Sequence, residues 1–155
     1  MPTYRVRAAT PDDLNVLVHH RIGMFTDMGV PMDVEAVSHA FREWLAAMMR
    51  NGTYRGWLIA DSEEIVAGAG ITVLPWPPGP RSLVGRVAFV YNVYTEPAHR
   101  HRGLARLLMT TIHLWCRDHE INTVMLNAST FGRRLYESMG YQEMGAPMMS
   151  TTLDG

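Results

Sequence analysis

The chain contains no lysine: all 14 of its basic residues are arginine, and 15 acidic residues bring the net charge to -1. That balance excludes the broad positive field that draws a protein onto nucleic acid, so no nucleic-acid partner is expected. It also leaves no surface lysine open to acetylation. Cysteine is almost as scarce. A single thiol, Cys116, rules out an internal disulfide and a multi-cysteine metal centre, and it fits a reducing compartment. Seven histidines are present, but without a His-Glu-x-x-His pattern or a cysteine pair no metal site is expected. Long apolar runs are missing too. None approaches the roughly 18 residues that span a bilayer, and Met1-Pro2-Thr3-Tyr4-Arg5 lacks the apolar stretch of a signal peptide. The expectation is a soluble, cytoplasmic protein with no membrane partner.

What remains is ordinary globular material. Hydrophobic residues make up 47% of the 155 and charged residues 19%, which excludes a disordered chain. At about 100–200 residues per domain, residues 1–155 form one domain. The one compositional break is Pro75-Trp76-Pro77-Pro78-Gly79-Pro80, a stiff loop in which neither helix nor strand pairing can continue.

Tyr4–Arg7 alternates like a short strand, and Thr10-Pro11-Asp12-Asp13 places a cap, a first-turn proline and an acid in the order that starts a helix near residue 11. Leu14, Leu17, Val18, Ile22 and Phe25 continue it at helical spacing. Val34, Val37, Phe41, Leu45 and Met48 mark a second helix ending near Asn51-Gly52. Tyr54–Ala60, Ile65–Leu74 and Arg86–Tyr94 are rich in β-branched and aromatic residues and predict an antiparallel meander. Within it, Gly68-Ala69-Gly70 reads as a bend or close packing in a strand rather than a dinucleotide fingerprint, since the third glycine and the following helix are both absent. A helix from Gly103, with Leu104, Leu107, Leu108, Thr111 and Trp115 on one face, leads to a brief strand at Thr123–Asn127. A short helix over about 130–139 closes at Gly140, and Tyr141–Met144 and Pro147–Thr152 read as weak strands. The order is β-α-α-β-β-β-α-β-α-β-β, a mixed α/β (α+β) domain.

The stretch richest in chemistry is Val93-Tyr94-Thr95-Glu96-Pro97-Ala98-His99-Arg100-His101-Arg102-Gly103-Leu104-Ala105. A strand runs through a loop straight into an amphipathic helix. The unpaired N–H groups and partial positive charge of that helix start can seat a diphosphate, and small residues at 103 and 105 let the backbone come close. Arg100, Arg102 and Arg106 concentrate positive charge there. Arg100-His101-Arg102-Gly103-Leu104-Ala105 resembles the acyl-CoA signature of the GNAT superfamily of N-acetyltransferases: Arg or Gln, two residues, Gly, one residue, then Gly or Ala. Phe131-Gly132-Arg133-Arg134-Leu135-Tyr136-Glu137-Ser138-Met139-Gly140-Tyr141 resembles that family's C-terminal segment, and the element order matches along nearly the whole chain.

The resemblance implies a mostly antiparallel central sheet flanked by helices, with acetyl-CoA as acyl donor. It implies that the backbone around Arg100, His101, Arg102, Gly103, Leu104 and Ala105 binds the pyrophosphate. The edge of Val93, Tyr94 and Thr95 would hydrogen-bond the pantetheine like an added strand. By the same likeness Asn127 contacts the pantetheine, and Tyr136 protonates the departing thiolate. The acceptor is then a primary amine of a small molecule or peptide, attacking directly in a ternary complex. Many relatives carry an acid on the strand before the pantetheine edge, where this chain has Tyr91 and Asn92; a water wire, Glu96, Asp27 or His20 are the alternatives for the base. Two other readings stay open, a non-catalytic acyl-CoA sensor and a dimerisation domain. Exposed C-terminal strands could pair across a homodimer.

Overall fold

The computed structural model describes residues 2–154. Strand β1 (Tyr4–Ala8) leads through a 3-10 turn at Pro11–Asp13 into helix α1 (Leu14–Asp27), followed by α2 (Val34–Arg50). The Thr10 cap forms as the sequence predicts: its hydroxyl accepts from Asp12 N–H at 3.3 Å, while the Asp13 carboxylate accepts from Thr10 N–H at 2.8 Å. Asp13 also takes both guanidinium arms of Arg7, each at 2.8 Å, pinning the start of α1 to β1.

The meander follows as β2 (Tyr54–Asp61), β3 (Glu64–Pro75) and β4 (Arg86–Thr95); then come α3 (Leu104–Asp118), β5 (Val124–Met125) and α4 (Arg133–Ser138). The five strands lie in the order β1-β2-β3-β4-β5. Every pairing is antiparallel except β4 with β5. The sheet therefore carries two apolar faces. Ile59, Val66, Ile71, Ala88 and Val90 pack with α3 residues in the larger core, and Tyr54 and Leu58 pack with Leu17, Val18, Phe41 and Leu45 of α1 and α2. Among the described residues no helix is long and apolar enough to cross a membrane.

Three expectations need correction. Tyr141–Met144 and Pro147–Thr152 form no strands. β5 is only two residues long and offers almost no edge to pair with, and Gly145 and Pro147 interrupt the stretch. Tyr141 instead packs edge-on against Tyr136, with 5.7 Å between ring centroids. The strand expected over Thr123–Asn127 is likewise only Val124–Met125. The buried stripe of α3 is Leu104, Leu108, Met109, Ile112 and Cys116, rotated from the expected face, so that Leu107 is 39% exposed. Met109, Ile112 and Cys116 also keep helical spacing with Leu104 and Leu108, and contact with the sheet selects that face.

Candidate active site

β4 is paired along one edge and largely open along the other. Its register with β3 runs from Pro75 opposite Arg86 to Ala67 opposite Thr95. β5 covers only Ala88 and Phe89 before the two strands diverge. Beyond Phe89, the β5-facing edge of β4 has no strand against it among the described residues. The strand also carries an extra residue: Gly70 faces Tyr91 and Gly68 faces Tyr94, and within this bulge Asn92 has a φ of 57°. Asparagine tolerates that left-handed conformation better than most side chains. Its Oδ1 accepts from the Arg21 guanidinium of α1 at 2.8 Å, which holds the bulge in place. The bulge re-aims Val93, Tyr94 and Thr95 where the sheet opens.

From Thr95 the chain turns through Pro97–His99 and enters α3 by two left-handed residues, His101 at φ 62° and Gly103 at φ 78°. A Cβ on Gly103 would meet nothing within 4 Å, so glycine is set here by backbone conformation and not by crowding. Gly103 caps α3 without a side-chain hydrogen bond. The N–H groups of Leu104, Ala105 and Arg106 precede the first helical bond, from Leu107 N–H to the Gly103 carbonyl at 3.0 Å. The result is a run of unpaired backbone donors at the positive end of a 15-residue helix, a few residues past the end of β4.

The arginines of this loop are braces. Arg100 donates to the Thr95 carbonyl at 2.8 Å and to Asp27 at 2.6 Å, and it lies over the Tyr94 ring. Arg102 donates to the Tyr4 hydroxyl at 3.0 Å, and that hydroxyl bonds His99 Nδ1 at 2.9 Å. Arg106 reaches Ser138 at 2.7 Å and ties α3 to α4. The positive charge that the sequence concentrates here is thus partly committed to holding the loop, and Asp27 directly answers Arg100. What points outward for an anion is backbone.

On the other side of the divergence a large open cleft of about 1750 Å³ is lined by Phe89, Met125, Asn127, Tyr136 and Tyr141 among others. Asn127 lies exposed two residues past β5. Tyr136 is buried, and burial raises its phenol above the ordinary value. Its ring lies so close to Gly132 that a Cβ there would sit 2.8 Å from the ring edge. Behind it the Tyr141 hydroxyl bonds His113 Nε2 at 2.7 Å.

The candidates for the base fare differently. Glu96 bonds His19 at 2.7 Å, and Asp27 is paired with Arg100. His20 is fully buried against Tyr94, with both ring nitrogens unpartnered, and burial lowers its pKa to about 4. It cannot meet a substrate without the fold opening. Cys116 is buried in the core and its thiol is pushed up to about 11, an inert state.

Sequence reasoning missed a second cavity, of about 520 Å³, between α1, α2 and β4. Arg21, Tyr54 and Asn92 bring its polar groups together. The signal was present in α1: Arg21 falls on the apolar stripe that also carries Leu14, Leu17, Val18 and Phe25, where an arginine is out of pattern.

A strand opening at a bulge beside an uncapped helix start can be compared with known proteins. The acetyltransferase (GNAT) family model matches residues 23–141, spanning both strands of the divergence, the loop and α4. The chain belongs to the GNAT family. A GCN5-related N-acetyltransferase from Ralstonia eutropha JMP134 is 30% identical to this GNAT protein, with a TM-score of 0.90 over 99% of this chain and 100% of that one. A predicted acetyltransferase from Clostridium acetobutylicum, crystallised with acetyl-CoA, shares the fold at a TM-score of 0.89 and 23% identity, over 96% of each chain. Among curated proteins, N-acetyltransferase 8 of Homo sapiens is 29% identical over 90 residues, which is 56% of this chain and 38% of that protein. The match therefore spans well under half of that relative's length.

Proposed function

We propose that this GNAT protein is an acetyl-CoA-dependent N-acetyltransferase that moves an acetyl group to a primary amine of a small molecule or peptide within a ternary complex. The observation that carries the reading is the continuity of two open backbone surfaces, the free edge of β4 beyond Phe89 and the uncapped start of α3. One suits the amide groups of pantetheine and the other a diphosphate. The R. eutropha and C. acetobutylicum likenesses support it, the latter having been solved with acetyl-CoA.

In this reading the amides of Gly103, Leu104 and Ala105 hold the pyrophosphate, with Arg100, His101 and Arg102 shaping the loop. Val93, Tyr94 and Thr95 align the pantetheine, and Asn127 meets it from across the cleft. A backbone N–H near Val93 or Tyr94 stabilises the oxyanion that forms when the amine attacks the thioester carbonyl. The carbon–sulfur bond breaks as the tetrahedral intermediate collapses, and Tyr136 donates its proton to the departing sulfur. A burial-raised phenol stays protonated at neutral pH, as a donor must. The acceptor amine loses its proton to water, because the carboxylates nearest the site are committed to His19 and Arg100.

The test is calorimetric titration with acetyl-CoA alongside steady-state turnover of an amine panel. Gly103→Glu, which puts bulk and negative charge over the amides, should abolish acetyl-CoA binding. Tyr136→Phe should keep that binding and lose turnover about 10²-fold or more, the usual worth of a positioned acid. Binding without turnover of any amine by the unmutated protein would leave the acyl-CoA sensor; no binding at all would sink both readings.

A further inference from the structure

The cavity between α1, α2 and β4 is lined by Arg21, Phe41, Trp44, Tyr54, Tyr91 and Asn92, and its volume of about 520 Å³ falls within the ordinary range for a small-molecule site. Its walls are aromatic. Phe41 stacks on Trp44 at 6.0 Å between ring centroids, and Trp44 meets Tyr54 edge-on at 5.8 Å. The one charged group in this lining is Arg21, sandwiched at 4.9 Å over both Phe25 and Phe41. Among the described residues Arg21 has no carboxylate partner; its hydrogen bond goes to the neutral Asn92 Oδ1. Two further polar atoms here are fully buried and lie beside each other. They are the Tyr54 hydroxyl, on a residue 2% exposed, and Asn92 Nδ2, on a residue 3% exposed.

These groups share one chemistry. The spare guanidinium N–H groups, the Asn92 amide N–H₂ and the Tyr54 O–H are all donors. Asn92 Oδ1 occupies one guanidinium N–H; the remaining N–H groups of a partly desolvated cation held between aromatic rings have no carboxylate to meet, and an anion supplies one. The cation would repel an ammonium ion. A single arginine among aromatic rings suits a singly charged planar carboxylate, which it can grip with two parallel bonds, better than a phosphate dianion.

The cavity also adjoins the chemistry. Asn92 immediately precedes the Val93 edge, and Tyr91 stacks at 4.8 Å on Phe89, which lines the cleft of Tyr136 and Asn127. Resting on the acetyl-transfer reading above, we propose that the acceptor is an amino carboxylate with an apolar or aromatic body, its carboxylate bound by the spare N–H groups of Arg21 and its body held against Phe41 and Trp44. The amine then projects along β4 toward the thioester.

Binding and turnover test this separately. Trp44 lies in the cavity wall, so its fluorescence can be titrated, in the presence of CoA, with N-acetylphenylalanine and with its uncharged amide. The carboxylate should bind about 10- to 100-fold more tightly than the amide, the usual span for a charge-assisted bond. Arg21→Gln should erase that preference by weakening the acid alone, while the uncharged amide binds as before and an unchanged urea midpoint reports that the fold is kept. Turnover of phenylalanine and phenylalaninamide is then compared between the unmutated protein and Arg21→Gln, so that the intrinsic basicity of each amine cancels. Equal binding of acid and amide, binding of neither, or a preference that survives Arg21→Gln would overturn the inference even if other amines are acetylated. A carboxylate preference without any turnover would keep the anion pocket and defeat the acetyl-transfer reading instead.

Discussion

His20 is a histidine with nothing to bond. Its ring fills the space over Gly68, where a Cβ would sit 2.7 Å from Nδ1, and leans on Tyr94 at 5.2 Å between centroids. Desolvation, with the neighbouring His19 adding to it, lowers the pKa from 6.5 to about 4. Because the folded value lies below the unfolded one, the unfolded chain takes up a proton first as pH falls. The contribution is therefore intact above about pH 6.5 and is lost as pH drops toward 4, by roughly 3 kcal/mol in all. Urea denaturation across that range should show His20→Met losing less stability than the unmutated protein, with the gap opening below pH 6.5; parallel curves would contradict the assignment. The sequence offered His20 as a base because histidine titrates near neutrality. Only its complete burial removes it from that role.

At the level of elements, most of the organisation was legible locally. The capping residues Thr10 and Asp13, the breaks at Gly52 and Gly140 and the β-branched and aromatic composition of the meander are local signals, and each appears in the fold. Gly140 has the left-handed φ of 94° that a helix end favours. The close packing expected at Gly68-Ala69-Gly70 is also present. A Cβ on Gly70 would overlap the Tyr54 hydroxyl and ring, and one on Gly68 would press into His20 and Leu58. Gly70→Ala should thus cost about 1–3 kcal/mol, as overpacking does, read as a lower urea midpoint at unchanged slope. An unaltered midpoint would mean that Tyr54 is free to move aside. The C-terminal strands were misread because a strand needs a neighbour, and β5 is too short to provide one.

Across the whole molecule, the two candidate substrate regions share β4, which gives Phe89 to one and Tyr91 and Asn92 to the other. The Arg100–Asp27 pair joins the α3 entry loop to the end of α1, and Arg21 joins α1 to the bulge of β4. The helix that walls the second cavity is therefore tied to both ends of the proposed cofactor track. The same ties leave Asp27 and Glu96 hydrogen-bonded to Arg100 and His19, and in the proposed mechanism the amine gives its proton to water. The log of kcat/KM for an amine acceptor should then rise with unit slope until the amine's own pKa, about 9–10 for an alkyl amine. A plateau starting near pH 6.5 would instead identify a histidine base, with the exposed His19 beside Glu96 as the first candidate for substitution.

The sequence by itself determined the element order as far as α4, the loop that opens into α3 and the family resemblance carried by residues 100–105 and 131–141, because turns, caps and glycine positions are settled by near neighbours. The tertiary structure alone decided that β4 parts from β5 after Phe89, that Arg100 is a brace, and that Arg21, Tyr54 and Asn92 meet in one cavity. Arg21 and Asn92 are 71 positions apart. No local pattern brings such residues together; packing two helices against one face of the sheet does.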